Sequence, residues 1–214
     1  MDRDWKALMW GQSLSLADLS EELDDPSFDA DSLCEGWRVR DIYGHMLVGH
    51  TTPMPTMIGL VVKYRFNIPK GSFEMSKAKV EDMTPEEIRA DWRRVAEMHT
   101  RNGISKTISF KEGFLDHFIH EQDIRRPLRL PKPDDGDRLA AALDAMVSVK
   151  GPMFAPAKVV GGLKLEATDV DWAHGDGPAV RGPAEALVLA SGGRPVALAD
   201  LDGDGVEALT ARMG

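Results

Sequence analysis

Asp116 and His120 stand four residues apart in the run Phe114-Leu115-Asp116-His117-Phe118-Ile119-His120-Glu121. On a helix that spacing puts both side chains on one face, about one turn apart, where a carboxylate and an imidazole can grip the same divalent cation. His117 and Glu121 have the same spacing, and a helical wheel sets them nearer the stripe Phe110, Phe114 and Phe118. Residue type and spacing leave the two pairs tied. His45 and His50 pose a similar choice. His50 falls with Val39, Tyr43 and Met46 on an apolar face, as a packed, hydrogen-bonded core residue would, while His45 points away from it.

Other residues have chemistry at lower specificity. Asp123, Arg125 and Arg126 form a compact charged group near Pro127. There an arginine can complement a helix C-terminus, pair with a carboxylate of the protein or clamp one on a ligand. Cys34 is the single cysteine, so no intramolecular disulfide forms. With no activating base beside it in sequence, it reads as a small hydrophobe. Trp37 reads as a packing anchor. The segment from Asp171 to Gly177 lacks the acidic spacing of an EF-hand and the Lys-Ser/Thr of a P-loop, and reads as a tight hairpin turn.

These residues need helices to position them. Leu8, Met9, Leu16, Leu19 and Leu23 recur at helical spacing, giving a first helix over 5–23 that is softened near Gly11. A second runs from about Val39 to Thr52, and the proline-flanked stretch after it reads as a helical continuation followed by a loop. Thr84-Pro85-Glu86-Glu87 is a capping box with proline in the first turn, opening a third helix whose buried stripe is Ile88, Trp92, Val95 and His99. The fourth carries the two tied pairs and must end before Pro127. Four amphipathic helices invite a bundle. A further helix over about 137–149 leads to a boundary at Gly151-Pro152, so residues 1–150 are expected as the bundle and 151–214 as a small α+β domain packed on it. In that second part, 163–167 alternates like a strand and is expected to form a hairpin with 179–181, followed by helices over 184–189 and 206–212.

A formal net charge of -9 repels phosphate backbones and disfavours nucleic acid as a partner. The N-terminus lacks the basic start and apolar run of an export signal, and no apolar stretch reaches membrane-spanning length. A cytoplasmic protein without a membrane partner is expected, and a homodimer is compatible with the chain.

Two blocks of sequence resemble the mycothiol-dependent maleylpyruvate isomerase family of the DinB-like superfamily. One is Ser32-Leu33-Cys34-Glu35-Gly36-Trp37-Arg38-Val39-Arg40-Asp41 with His45, and the other runs from Asp116 through His120 and Asp123 to Leu128. The tail from Glu166 to Leu187 is also similar. The resemblance implies a DinB-like four-helix bundle with one metal, usually zinc, on His45, Asp116 and His120. It further implies mycothiol as co-substrate, a small electrophile as substrate, and an isomerase or S-transferase reaction. Two imidazoles and one carboxylate leave zinc an open position, as in catalytic sites. Two departures stand out: the family has glutamate where Asp116 stands, and often threonine or serine where Arg38 stands. Glu35 or water is therefore expected to cap the second helix. Arg125, Arg126 and Arg181 are the candidate substrate-binding or catalytic residues. The alternative is a DinB-like metal-binding or stress-related protein without turnover, since a shared fold does not guarantee a shared activity.

Overall fold

The computed structural model describes residues 3–131, 135–151 and 154–213. They form two compact units, one of residues 6–130 and one of residues 3–5 with 131–213. Pro152, at the boundary expected from sequence, lies outside the described residues.

The first unit contains the four helices read from the sequence and two more between them. Helix α1 (Trp5–Glu22) runs unbroken through Gly11, and α2 (Val39–Thr51) follows a tight loop. Helix α3 (Met54–Lys63) is the helical continuation expected after α2, and α4 (Ile68–Val80) begins where a loop was expected. Asn67 opens α4 by accepting a hydrogen bond from Lys70 N, with a proline in the first turn. Small residues mediate its packing on α2: a Cβ at Gly44 would lie 2.2 Å from Ser76 O, so the two helices meet backbone to backbone. The α4 residues that meet α2, Ser72, Ser76 and Val80, leave only one apolar side chain on that face, which is why periodicity misses this helix.

Helix α5 (Pro85–Glu97) starts on the expected capping box, with Thr84 Oγ1 accepting from Glu87 N and Glu87 Oε2 accepting from Thr84 N. It ends earlier than the stripe implied. His99 is exposed, adopts a positive φ of 51° and stacks on Trp10, its ring centroid 4.7 Å away. Helix α6 (Phe110–Arg125) is capped by Ser109 and stops short of Pro127. Leu16, Leu19, Phe28, Ile42, Tyr43, Leu47, Ile88, Trp92 and Ile124 are fully buried at the centre of the unit. Area bookkeeping puts burial of each such large side chain at about 1.5–3 kcal/mol before entropy is subtracted.

The second unit is built around α9 (Ala184–Ser191), every residue of which is buried. Helix α7 (Gly136–Met146) belongs to this unit, where Asp144 accepts hydrogen bonds from Trp172 Nε1 (2.9 Å) and Arg3 Nε (2.8 Å). After α8 (Pro156–Val159) come β1 (Lys164–Ala167), β2 (Ala173–His174) and β3 (Ala179–Gly182), in the sheet order β2-β1-β3. The expected hairpin between 163–167 and 179–181 is corrected here, because β1 and β3 are parallel and the antiparallel partner of β1 is β2. The chain reverses twice within the segment read as one turn. Gly175 and Gly177 permit the second reversal, since a Cβ on either would fall about 2 Å from the carbonyl oxygens of Leu163 and Gly162. Helix α10 (Val206–Thr210) closes the unit. Among the described residues no helix is long and apolar enough to cross a membrane.

Candidate metal centre

The loop before α2 sets one side of the site. Gly36 takes a positive φ of 74° in the turn Cys34-Glu35-Gly36-Trp37, and Trp37 N donates to Cys34 O at 2.9 Å. Ser32 Oγ lies 2.9 Å from Trp37 O and accepts from Cys34 N at 3.1 Å. Leu33 N donates to Asp123 O at 3.1 Å, tying the loop to the end of α6. The α2 cap differs from expectation: Asp41, rather than Glu35, accepts from Arg38 N at 2.8 Å and salt-bridges the same arginine.

The structure brings His45, Asp116 and His120 together, one ligand-type atom of each lying within 4.8 Å of the others. His45 comes from α2, and Asp116 and His120 come from one face of α6. The His45 and His120 rings meet edge to face with centroids 5.1 Å apart, and His120 Nε2 lies 3.7 Å from Asp116 Oδ1. Asp116 and His45 are half-buried, whereas His120 is 6% exposed. Trp37 packs against both rings, its centroid 5.3 Å from His45 and 6.3 Å from His120.

The second nitrogen of each imidazole is occupied. Ser72 Oγ lies 3.2 Å from His45 Nδ1, so α4, invisible to periodicity, contributes directly to the site. Asp123 Oδ2 lies 2.9 Å from His120 Nδ1 and 3.1 Å from Cys34 Sγ. As an ionised acceptor it fixes a proton on Nδ1 and leaves Nε2 directed to the Asp116 side. Burial disfavours the charged form of His120, yet Asp116, Asp123 and Cys34 together outweigh it and raise its pKa to about 10. This pocket selects positive charge.

The rival pair on α6 serves the interior. His117 Nε2 lies 3.3 Å from His50 Nε2, His117 Nδ1 lies 3.0 Å from Ser13 Oγ, and His50 Nδ1 lies 2.7 Å from the Thr100 carbonyl. A carbonyl only accepts, so His50 carries its proton on Nδ1. His117 has a polar neighbour at each ring nitrogen, and Ser13 Oγ donates to the Met9 carbonyl at 2.9 Å. Burial, then the neighbouring His50, pushes the His117 pKa down to about 3, and burial lowers that of His50 as well. Glu121, fully buried, accepts from Gln12 Nε2, from Ser15 Oγ at 3.1 Å and from Arg125 Nε at 2.6 Å. The tie left by spacing is broken by what each pair faces: polar residues of α1 meet His117 and Glu121, while His45 meets Asp116 and His120.

The three arginines expected to act on substrate are not gathered around this trio by any described contact. Arg125 is buried and bound to Glu121, a fold-stabilising pair of the kind costly to break. Arg126 caps the end of α6. Arg181 is exposed on β3 in the second unit, where its guanidinium binds Glu166 and its backbone pairs with Asp202. Sequence reasoning missed Ser72 and the placement of Asp123 and Cys34. The signal available for Asp123 was its spacing of three from His120.

A helical unit with two histidines and a carboxylate converging from two of its helices defines a candidate metal-binding bundle. Residues 12–103 match the family model described as the mycothiol maleylpyruvate isomerase N-terminal domain. The matched segment includes His45 and stops before Asp116 and His120. Two solved structures are similar. A mycothiol-dependent maleylpyruvate isomerase has 16% identity and a TM-score of 0.60, and a histidine-to-alanine variant of such an isomerase has 15% and 0.61. Each alignment covers 94% of this chain and 92% of the other, and at that identity the likeness is one of fold. Comparison with curated proteins found no match.

Proposed function

We propose that the chain is a metal-dependent enzyme that uses a low-molecular-weight thiol, in the manner of a mycothiol-dependent isomerase, on a small electrophile. The observation carrying this reading is the convergence of His45, Asp116 and His120 with the far nitrogen of each imidazole already held. The donor set fits a divalent ion, and zinc is the choice by resemblance and ligand type, a set that also suits nickel, iron or manganese. When bound, such an ion would favour the thiolate form of a thiol brought to it and so supply a nucleophilic sulfur.

The protein's own residues do the rest. Ser72 and Asp123 hold the two rings in orientation, and Trp37 gives the site an apolar wall that limits water. Asp116 would supply the negative charge of the ligand set. Arg126 is the candidate for holding a substrate carboxylate, Arg125 being committed to Glu121 and Arg181 to Glu166 in the other unit.

The test is elemental analysis of protein purified without a metal-affinity tag, beside His120→Ala, followed by isomerisation of maleylpyruvate with and without mycothiol. The reading expects about one equivalent of metal that His120→Ala loses, and turnover only with the thiol. Equal metal content in both proteins would remove the site. Metal without turnover under any low-molecular-weight thiol would assign the chain to a metal-binding role instead.

A further inference from the structure

A second set of ligand-type atoms lies on the other side of His120. Cys34 Sγ, an Asp123 oxygen and a His120 nitrogen lie within 4.8 Å of one another. Asp123 Oδ2 is 3.1 Å from Sγ and 2.9 Å from Nδ1, so the thiol hydrogen and the imidazole hydrogen point at one carboxylate oxygen. Asp123 is fully buried, His120 nearly so and Cys34 partly, so the group is reached from the loop side through the cysteine. Sulfur, imidazole nitrogen and carboxylate oxygen together form a softer donor set than the outer trio, which has no sulfur.

We propose that Cys34, Asp123 and His120 Nδ1 form an inner cation site selective for a thiophilic metal ion, and that its occupation excludes an ion from the outer site. Binding replaces the two hydrogens inside the triangle by the cation. The Cys34 proton is released to solvent, and sulfur binds as thiolate. The neutral His120 ring passes to its other tautomer: the Nδ1 hydrogen is lost to solvent and Nε2 takes one up, on the side of Asp116, whose Oδ1 stands 3.7 Å away. Thiolate and carboxylate then balance the charge of a divalent ion. Nε2 is no longer available as a ligand, so the two sites share one imidazole and alternate. This holds whether or not the outer trio supports turnover, and it implies that cadmium or a similar ion silences the outer site without competing for His45.

The experiment is a cadmium titration of the reduced, full-length protein, followed by thiolate-to-cadmium charge transfer in the near ultraviolet. Cys34→Ser, lacking any thiolate, supplies the baseline. The proposal expects a saturable band in the wild type and an undiminished band in His45→Ala, which lacks an outer ligand. In Asp123→Asn the half-saturation concentration should rise roughly ten-fold or more. His120→Ala should show the same loss, and serves if Asp123→Asn fails to fold by circular dichroism. No band in the wild type overturns the proposal, as does unchanged affinity in the folded Asp123 or His120 variants, which would mean that Cys34 binds the ion alone. Loss of the band in His45→Ala also overturns it, since the cysteine would then belong to the outer site.

Discussion

Asp123 Oδ2 and His120 Nδ1 are 2.9 Å apart, with the carboxylate fully buried and one turn of α6 separating the residues. The proton between them decides which imidazole nitrogen is free, and it does so from a position outside the ligand trio. Asp123→Asn keeps the volume but weakens the acceptor and permits the amide to face the wrong way. We expect outer-site metal affinity to fall by about 10–100-fold, measured by competition against a chromophoric chelator. Unchanged affinity would mean that the ring is oriented by packing against Trp37 alone.

Asp116 differs from the glutamate of the resembled family by one methylene. Asp116→Ala should abolish binding of cobalt, a spectroscopic substitute for zinc, as judged by loss of its ligand-field bands. Asp116→Glu should retain binding with an altered spectrum, because the carboxylate type persists while its reach changes. A bound-cobalt spectrum identical in Asp116→Ala and wild type would show that the carboxylate is not a ligand.

His117 links protonation to stability. Its folded pKa, about 3, lies below the ordinary value of 6.5, because the buried ring disfavours charge. The unfolded chain therefore binds a proton that the folded chain refuses. The stabilisation is complete above pH 6.5 and is lost as pH falls toward 3. This one group contributes a slope of about 1.4 kcal/mol per pH unit in that window. Urea denaturation from pH 7 to pH 4 should show the loss, and His117→Gln should flatten it. Parallel curves for the two proteins would contradict the assignment. His120 acts oppositely in metal-free protein: with a folded pKa of about 10, its stabilisation is full below pH 6.5 and fades as pH rises toward 10.

Gly44 is where α2 and α4 touch. Gly44→Ala forces a methyl group to within 2.2 Å of Ser76 O unless the helices separate. We expect a loss of about 1–3 kcal/mol in chemical denaturation. Metal binding should weaken as well, because Ser72 on α4 would withdraw from His45 Nδ1. Stability loss with intact metal affinity would separate the helix crossing from the site.

These relationships explain what the sequence discloses and what it hides. The α5 start is legible because Thr84, Pro85 and Glu87 act within one turn of chain. Helix α4 is hidden because Ser72, Ser76 and Val80 meet α2, and one apolar residue on that face leaves no periodic trace. The parallel pairing of β1 and β3 is hidden because a two-residue strand between them reverses the chain where composition suggests a single turn. At the site, spacing proposes two pairs on α6 and cannot choose. The choice depends on Gln12, Ser13 and Ser15, which lie more than a hundred positions away and supply the polar partners of one pair.

Those partners also fix the rotation of α6 about its own axis. Glu121 is gripped by Gln12 and Ser15, and His117 by Ser13 and His50, so the helix is pinned along the face next to Asp116 and His120. The ligands are aimed from the neighbouring face. A turn of a few tens of degrees that would misplace the ligands would also unpair the buried Glu121, so the interior contacts oppose misalignment of the site. The bundle thus behaves as a keyed shaft, with its lock in the core and its working edge at the surface.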